Sequence, residues 1–121
     1  MNWKEFEHLA RQVMSRYLGT TLVEKNPQGF PKKFDMVSSQ DEIVGDAKFL
    51  TLVRGENLPP AKFMEIAGHV WLLEKVSAKR RFLVFGNQRE VPVWWLSKYG
   101  KLVQNVEFYF VDEAGRVERL H

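Results

Sequence analysis

The chain has 121 residues, 45% of them hydrophobic, and carries 18 basic against 15 acidic side chains for a formal charge of +3. That length holds one domain, 1–121, able to bury a core unaided, and its composition is not that of a disordered chain. The lack of cysteine excludes disulfides and thiolate metal sites, so any metal must take oxygen or imidazole ligands.

Residues 3–18 predict an amphipathic helix, with Trp3, Phe6, Leu9, Ala10, Val13, Met14 and Tyr17 at helical spacing, Asn2 as cap and Gly19 as stop. Glu5 falls on the solvated side, whereas Glu7 lies inside the apolar arc and aims at the core edge. "TTLVEK" (20–25) suits a first strand and "NPQGFP" a loop. A hairpin follows, with strands near 33–38 and 42–50. Pro59-Pro60 opens a second helix, running to about Val76, with Phe63, Ile66, Ala67, Val70 and Leu73 on one face. "RFLVFG" (81–86) reads as a strand covered on both faces, "WWLSKYG" (94–100) as a short helix, and "VEFYFVD" with "RVERL" as a closing strand pair. The order is αβββαβ over 3–86, then a C-terminal extension over 87–121: an α/β domain with a mixed central sheet flanked by helices.

No apolar run approaches the roughly 18 residues of a membrane span, and "MNWKEFEHL" lacks the features of a signal peptide, so the expected location is cytoplasmic. The three histidines, His8, His69 and His121, are scattered without zinc spacing, and His69 is expected on solvated surface. Trp94 and Trp95 are expected to serve the core rather than to stack on bases.

The hairpin "FDMVSSQDEIVGDAKF" (34–49) carries the chemistry. Strand alternation puts Asp46 and Lys48 on one face with Val44 and Leu50. A turn centred between Gln40 and Asp41 sets Asp35 directly opposite Asp46. Two carboxylates across a strand pair repel, and Lys48 compensates only part of that repulsion. A hard divalent cation would supply the rest. A surface ion-pair cluster is the plain alternative, and it requires these side chains to be dispersed.

Glu7 on the first helix, Asp35 on one strand and Asp46-Ala47-Lys48 on the next resemble the PD-(D/E)XK nuclease superfamily, whose restriction-endonuclease-like core has this same αβββαβ order. Phe34 stands where proline is usual, and Asp46 where glutamate is commoner. The resemblance implies Mg²⁺-dependent hydrolysis of a phosphodiester, usually in DNA, with Mn²⁺ as a substitute and RNA left open. Asp35, Asp46 and the Ala47 carbonyl would hold the metal, and Glu7 would assist directly or through water. Lys48 would position the attacking water and balance developing charge.

Under that resemblance Lys32, Lys33, Lys79, Arg80 and Arg81 become candidates for phosphate contacts beside the acids. So small a catalytic domain implies a structure-selective enzyme, a homodimer, or a subunit that borrows recognition from a partner. The rival reading is a nucleic-acid-binding or protein-interaction module that keeps the fold without turnover.

Overall fold

In the computed structural model, which describes residues 1–51 and 59–121, the first amphipathic stretch forms α1 (Trp3–Leu18). Asn2 and Glu5 close a reciprocal capping box at its start, and Gly19, at a positive φ of 71°, ends it. Glu5 is thus an end-cap and not only a solvated side chain. The first strand, β1 (Val23–Lys25), is shorter than the expected 20–25. The end of α1 explains this: Thr20 N–H donates to the Ser15 carbonyl and Leu22 N–H to Ser15 Oγ, both at 3.0 Å. Those donors are therefore unavailable to a ladder.

The hairpin forms β2 (Phe34–Val37) and β3 (Ile43–Leu50), with Met36 opposite Gly45 and Val37 opposite Val44. This is the register that puts Asp35 across from Asp46. α2 (Pro60–Lys75) begins with its proline in the first turn. It is followed by β4 (Arg80–Asn87) and α3 (Glu90–Tyr99). The helix expected at 94–100 starts earlier because Pro92, in its first turn, needs no helical N–H partner. A 3-10 turn (Gly100–Leu102), β5 (Glu107–Val111) and β6 (Val117–Arg119) complete the chain.

The six strands lie in chain order, β1 to β6, in one mixed sheet. β3, β4 and β5 run parallel, and the outer pairings are antiparallel. α1 packs on one face through Phe6, Ala10 and Met14 against Met36, Ala47 and Phe82. On the other face lie Ile66, Val70 and Leu73 of α2 and Val91 and Trp95 of α3, against Val44, Leu83 and Phe85. Two parallel crossovers, β3 to β4 and β4 to β5, step in the same direction, and crossovers of one hand place both helices on the same side. Gly45 matters to the first layer: a Cβ there would clash with the ring of Phe82, which is fully buried. No helix among the described residues is long and apolar enough to cross a membrane.

Candidate functional site

The ladder between β2 and β3 gives way just beyond Met36 and Gly45. There Asp35 N–H donates to Asp46 Oδ1 at 3.0 Å, and Ala47 N–H donates to Asp35 Oδ2 at 2.9 Å. Side-chain bonds thus replace backbone rungs, and the two carboxyls are brought into mutual hydrogen-bonding contact. Ala47 N–H points toward β2, and the carbonyl of the same residue shares that edge of the strand. These two acids are therefore in contact and not dispersed.

Two further acids reach the same break. Glu7 from α1, Glu24 from β1 and Asp35 each present a carboxylate oxygen, all within 4.8 Å of one another. Arg11 of α1 donates to the Asp35 carbonyl at 3.0 Å and so ties β2 to the helix. Glu24 escaped the sequence reading, although a signal existed. It sits two residues after buried Leu22, so period-two alternation sends both side chains toward the α1 face, where Glu7 lies.

Asp46 is almost fully buried, at 3% exposure, and it has charge partners that differ from the expected one. Its Oδ2 accepts from Lys32 Nζ at 3.1 Å and contacts His69 Nδ1 at 2.9 Å. Because an ionised carboxylate only accepts, the imidazole must donate from Nδ1. Lys48, expected to face the acids, pairs instead with Glu65 of α2 at 3.1 Å. Its charge still reaches Glu7. His69 is corrected from solvated surface to a partner of Asp46. Its spacing carried the clue, since Lys62, Glu65 and His69 fall at i, i+3 and i+7 on one stripe beside the Ile66–Val70–Leu73 face. That stripe turns toward β3, where Asp46 and Lys48 share the α2 face with Val44 and Leu50.

These contacts set opposite electrostatics on neighbouring acids. Burial, the hydrogen bond to Asp46 and the Asp46 charge push Asp35 up to about 8. Burial also acts to raise Asp46, but hydrogen bonds from His69 and Asp35, with the Lys32 charge, outweigh it and hold its carboxyl well below the usual range. The pair therefore shares one proton at neutral pH in the absence of a cation. Burial, then the charges of Glu24 and Asp46, raise Glu7. Against its own burial, Glu65 is lowered by the hydrogen bond from Lys48.

The five basic candidates separate. Lys32, a candidate phosphate contact, pairs with Asp46, its ammonium lying over the Phe34 ring at 4.5 Å. Lys33 stays on the rim, 4.0 Å from Glu24. Arg80 and Arg81 pair with Ile43 and Val44, three and two residues before Asp46, and their side chains are engaged elsewhere. Arg80 bonds Glu107 and Tyr109, and Arg81 bonds the Val76 carbonyl twice. Lys79 is exposed and 3.5 Å from Glu42. The structure does not bring this trio to the acids.

The fold and the site define an α/β domain with a cluster of carboxylates set into a break in its sheet. No protein-family model, curated protein or solved structure matches the chain.

Proposed function

We propose that the domain is a divalent-cation-dependent nuclease that hydrolyses phosphodiester bonds of DNA on a restriction-endonuclease-like core. One observation carries this reading: Asp35 and Asp46 touch across the hairpin while Glu7 and Glu24 converge on the same break. Like charges held so closely destabilise a fold unless a proton or cation intervenes.

The donor set suits a hard cation such as Mg²⁺, with Mn²⁺ as a substitute. Glu7, Glu24 and Asp35 would hold it, with the Ala47 carbonyl beside them. Asp46 Oδ2 is occupied by Lys32 and His69, so this acid would contribute through Oδ1 alone. A bound ion supplies a more acidic water and neutralises charge on a phosphoryl oxygen. The chain's own groups do the positioning. His69 and Lys32 fix the Asp46 carboxylate, which in turn holds the Asp35 backbone. Lys48, kept in place by Glu65, orients the attacking water and balances negative charge as the phosphoryl group is displaced. Lys33 on the rim offers a first phosphate contact.

The test is a cleavage assay on plasmid, branched and single-stranded DNA with Mg²⁺ or Mn²⁺, comparing wild type with Lys48→Ala and Asp35→Asn. Activity in the wild type that is lost in both variants supports the assignment. Equal cleavage by all three overturns it. Binding without cleavage of any substrate would favour the non-catalytic module.

A further inference from the structure

On the far side of α2 from Glu65 and His69, the helix shows solvent a stripe of its largest apolar side chains. Met64 is 69% exposed and Trp71 57%, with Leu102 of the 3-10 turn at 73% and Tyr99 of α3 at 41%. Between them runs a groove of two cavities, about 660 and 350 Å³, that share Phe63, Met64 and Tyr99. Its floor includes Ala67, Val70 and Val103. Lys75 lies over one face of the Trp71 ring, its ammonium 5.4 Å from the centroid, and both Met64 and Trp71 stay largely exposed.

We infer that this face of α2, with the adjoining groove, is the contact surface for a second copy of the chain in an isologous dimer. Self-complementarity is the first argument. Met64 and Trp71 are seven residues apart, two turns along one stripe, with Ala67 and Gly68 between them. A two-fold axis at Ala67–Gly68 with the helices antiparallel sets Met64 of each copy against Trp71 of the other. Such reciprocity is what a two-fold contact demands, and sulfur over an aromatic ring is a favourable pairing. The small residues at the crossing let the backbones approach, since a Cβ on Gly68 would meet nothing within 4 Å.

Area is the second argument. With aromatic side chains offering about 150–250 Å² each, the exposed portions of Met64, Trp71, Tyr99 and Leu102 sum to roughly 500 Å² per copy. A stable dimer buries about 800 Å² per partner. The stripe therefore supplies the apolar centre of a standard interface, and Lys75, Lys98 and Glu74 at its border supply the polar rim. Single-stranded nucleic acid is a poorer occupant. The most exposed points, Met64 and Leu102, are thioether and aliphatic and offer no ring on which a base could stack.

The surface is independent of the chemistry at Asp35, and its test reads mass rather than cleavage. Sedimentation equilibrium of the full chain across low to high micromolar concentration should give twice the chain mass at the upper end. Trp71→Glu and Leu102→Glu should each weaken association about 30-fold or more, as loss of an interface hot spot does. Both sites are exposed, so far-UV circular dichroism should stay native; a variant that misfolds is replaced by Met64→Glu. Because the chain has no cysteine, Gly68→Cys should cross-link between copies under mild oxidation, while Gln12→Cys on α1 should not. A monomer at every concentration overturns the proposal, as does a dimer that folded Trp71→Glu and Leu102→Glu leave intact. A monomer whose tryptophan fluorescence is quenched by oligothymidylate would overturn it in favour of nucleic acid.

Discussion

Asp46 accepts the backbone N–H of Asp35 at 3.0 Å, so one acid of the hairpin holds the main chain of the other. With Ala47 N–H donating back to Asp35, the two residues close a small ring of polar bonds where β2 and β3 would otherwise continue their ladder. The break is therefore satisfied within itself, and a ligand that displaces the shared proton meets a preorganised site. The asymmetry between the acids follows from their surroundings. Asp46 is paired with the side chains of Lys32 and His69, whereas the donor that Asp35 receives is a neutral backbone N–H, that of Ala47.

Asp35→Asn should stabilise the cation-free protein and abolish cleavage. An unfolded Asp ionises near 3.9, whereas folded Asp35 does so at about 8. Between those values the folded state binds more protons, so its stability falls as pH rises and levels off above about 8. Asparagine keeps the shape and the acceptor for Ala47 N–H without the charge. The gain at pH 9 in EDTA should be about 1–2 kcal/mol, discounted for solvent at this partly open position, and close to zero at pH 4. Urea unfolding at both pH values decides it, and an equal midpoint for the two proteins at pH 9 would contradict the shared proton.

A cation should bind better as Asp35 gives up its proton. Mg²⁺ or Mn²⁺ should raise the thermal midpoint more at pH 8.5 than at pH 6, with release of about one proton per ion. Calorimetry in two buffers of different ionisation heat counts that proton. Glu24→Gln should weaken binding about as much as Glu7→Gln if the ion sits among Glu7, Glu24 and Asp35. Undiminished binding by Glu24→Gln would instead return the ion to the Asp35–Asp46 side.

Local pattern carried most of the fold. The caps at Asn2 and Gly19, the proline opening α2 and the hairpin register are all set by neighbours in sequence, and each was legible. The acids split along the same line. Asp35, Asp46 and Glu7 could be placed because alternation and helical phase aim their side chains. The counter-charges could not, since they depend on tertiary approach. Nothing near Lys48 announces that Glu65, 17 positions on, will take its ammonium. Nothing near Lys32 shows that its chain will fold back over Phe34 to Asp46. The basic run 79–81 shows the same limit: charge density is visible in a sequence, but the partners its side chains take, Glu107, Tyr109 and the Val76 carbonyl among them, are set by tertiary approach.

His69→Ala should lower both stability and cleavage, whereas His69→Gln, whose amide still donates, should recover part of each. His69 donates to a carboxylate almost wholly out of water, and leaving that oxygen short of a donor costs about 1–3 kcal/mol. The sign follows from the depressed folded pKa of Asp46. Its contribution is present above the unfolded value near 3.9 and is lost as pH falls through the folded one. With His69 gone, the folded pKa moves up, so the acid limb of the stability curve should shift to higher pH. Unfolding midpoints between pH 3 and 7 measure this. An unchanged acid limb would mean that Lys32 alone sustains the Asp46 charge.

Gly45→Ala should act on the site through packing. The added methyl would enter the space of the Phe82 ring, which is buried against Met36 and Ala47 under α1. Overpacking of this kind costs about 1–3 kcal/mol. Gly45 pairs with Met36 and directly precedes Asp46, so the strain falls on the rung that sets the Asp35–Asp46 contact. Cleavage should therefore drop by more than the folded fraction accounts for. Phe82→Leu alone should also destabilise, by opening a cavity. Combined with Gly45→Ala it should restore room for the methyl, so the double variant should be less destabilised than the sum of the two. Additive losses measured by urea unfolding would show that the strain is relieved elsewhere and does not pass through Phe82.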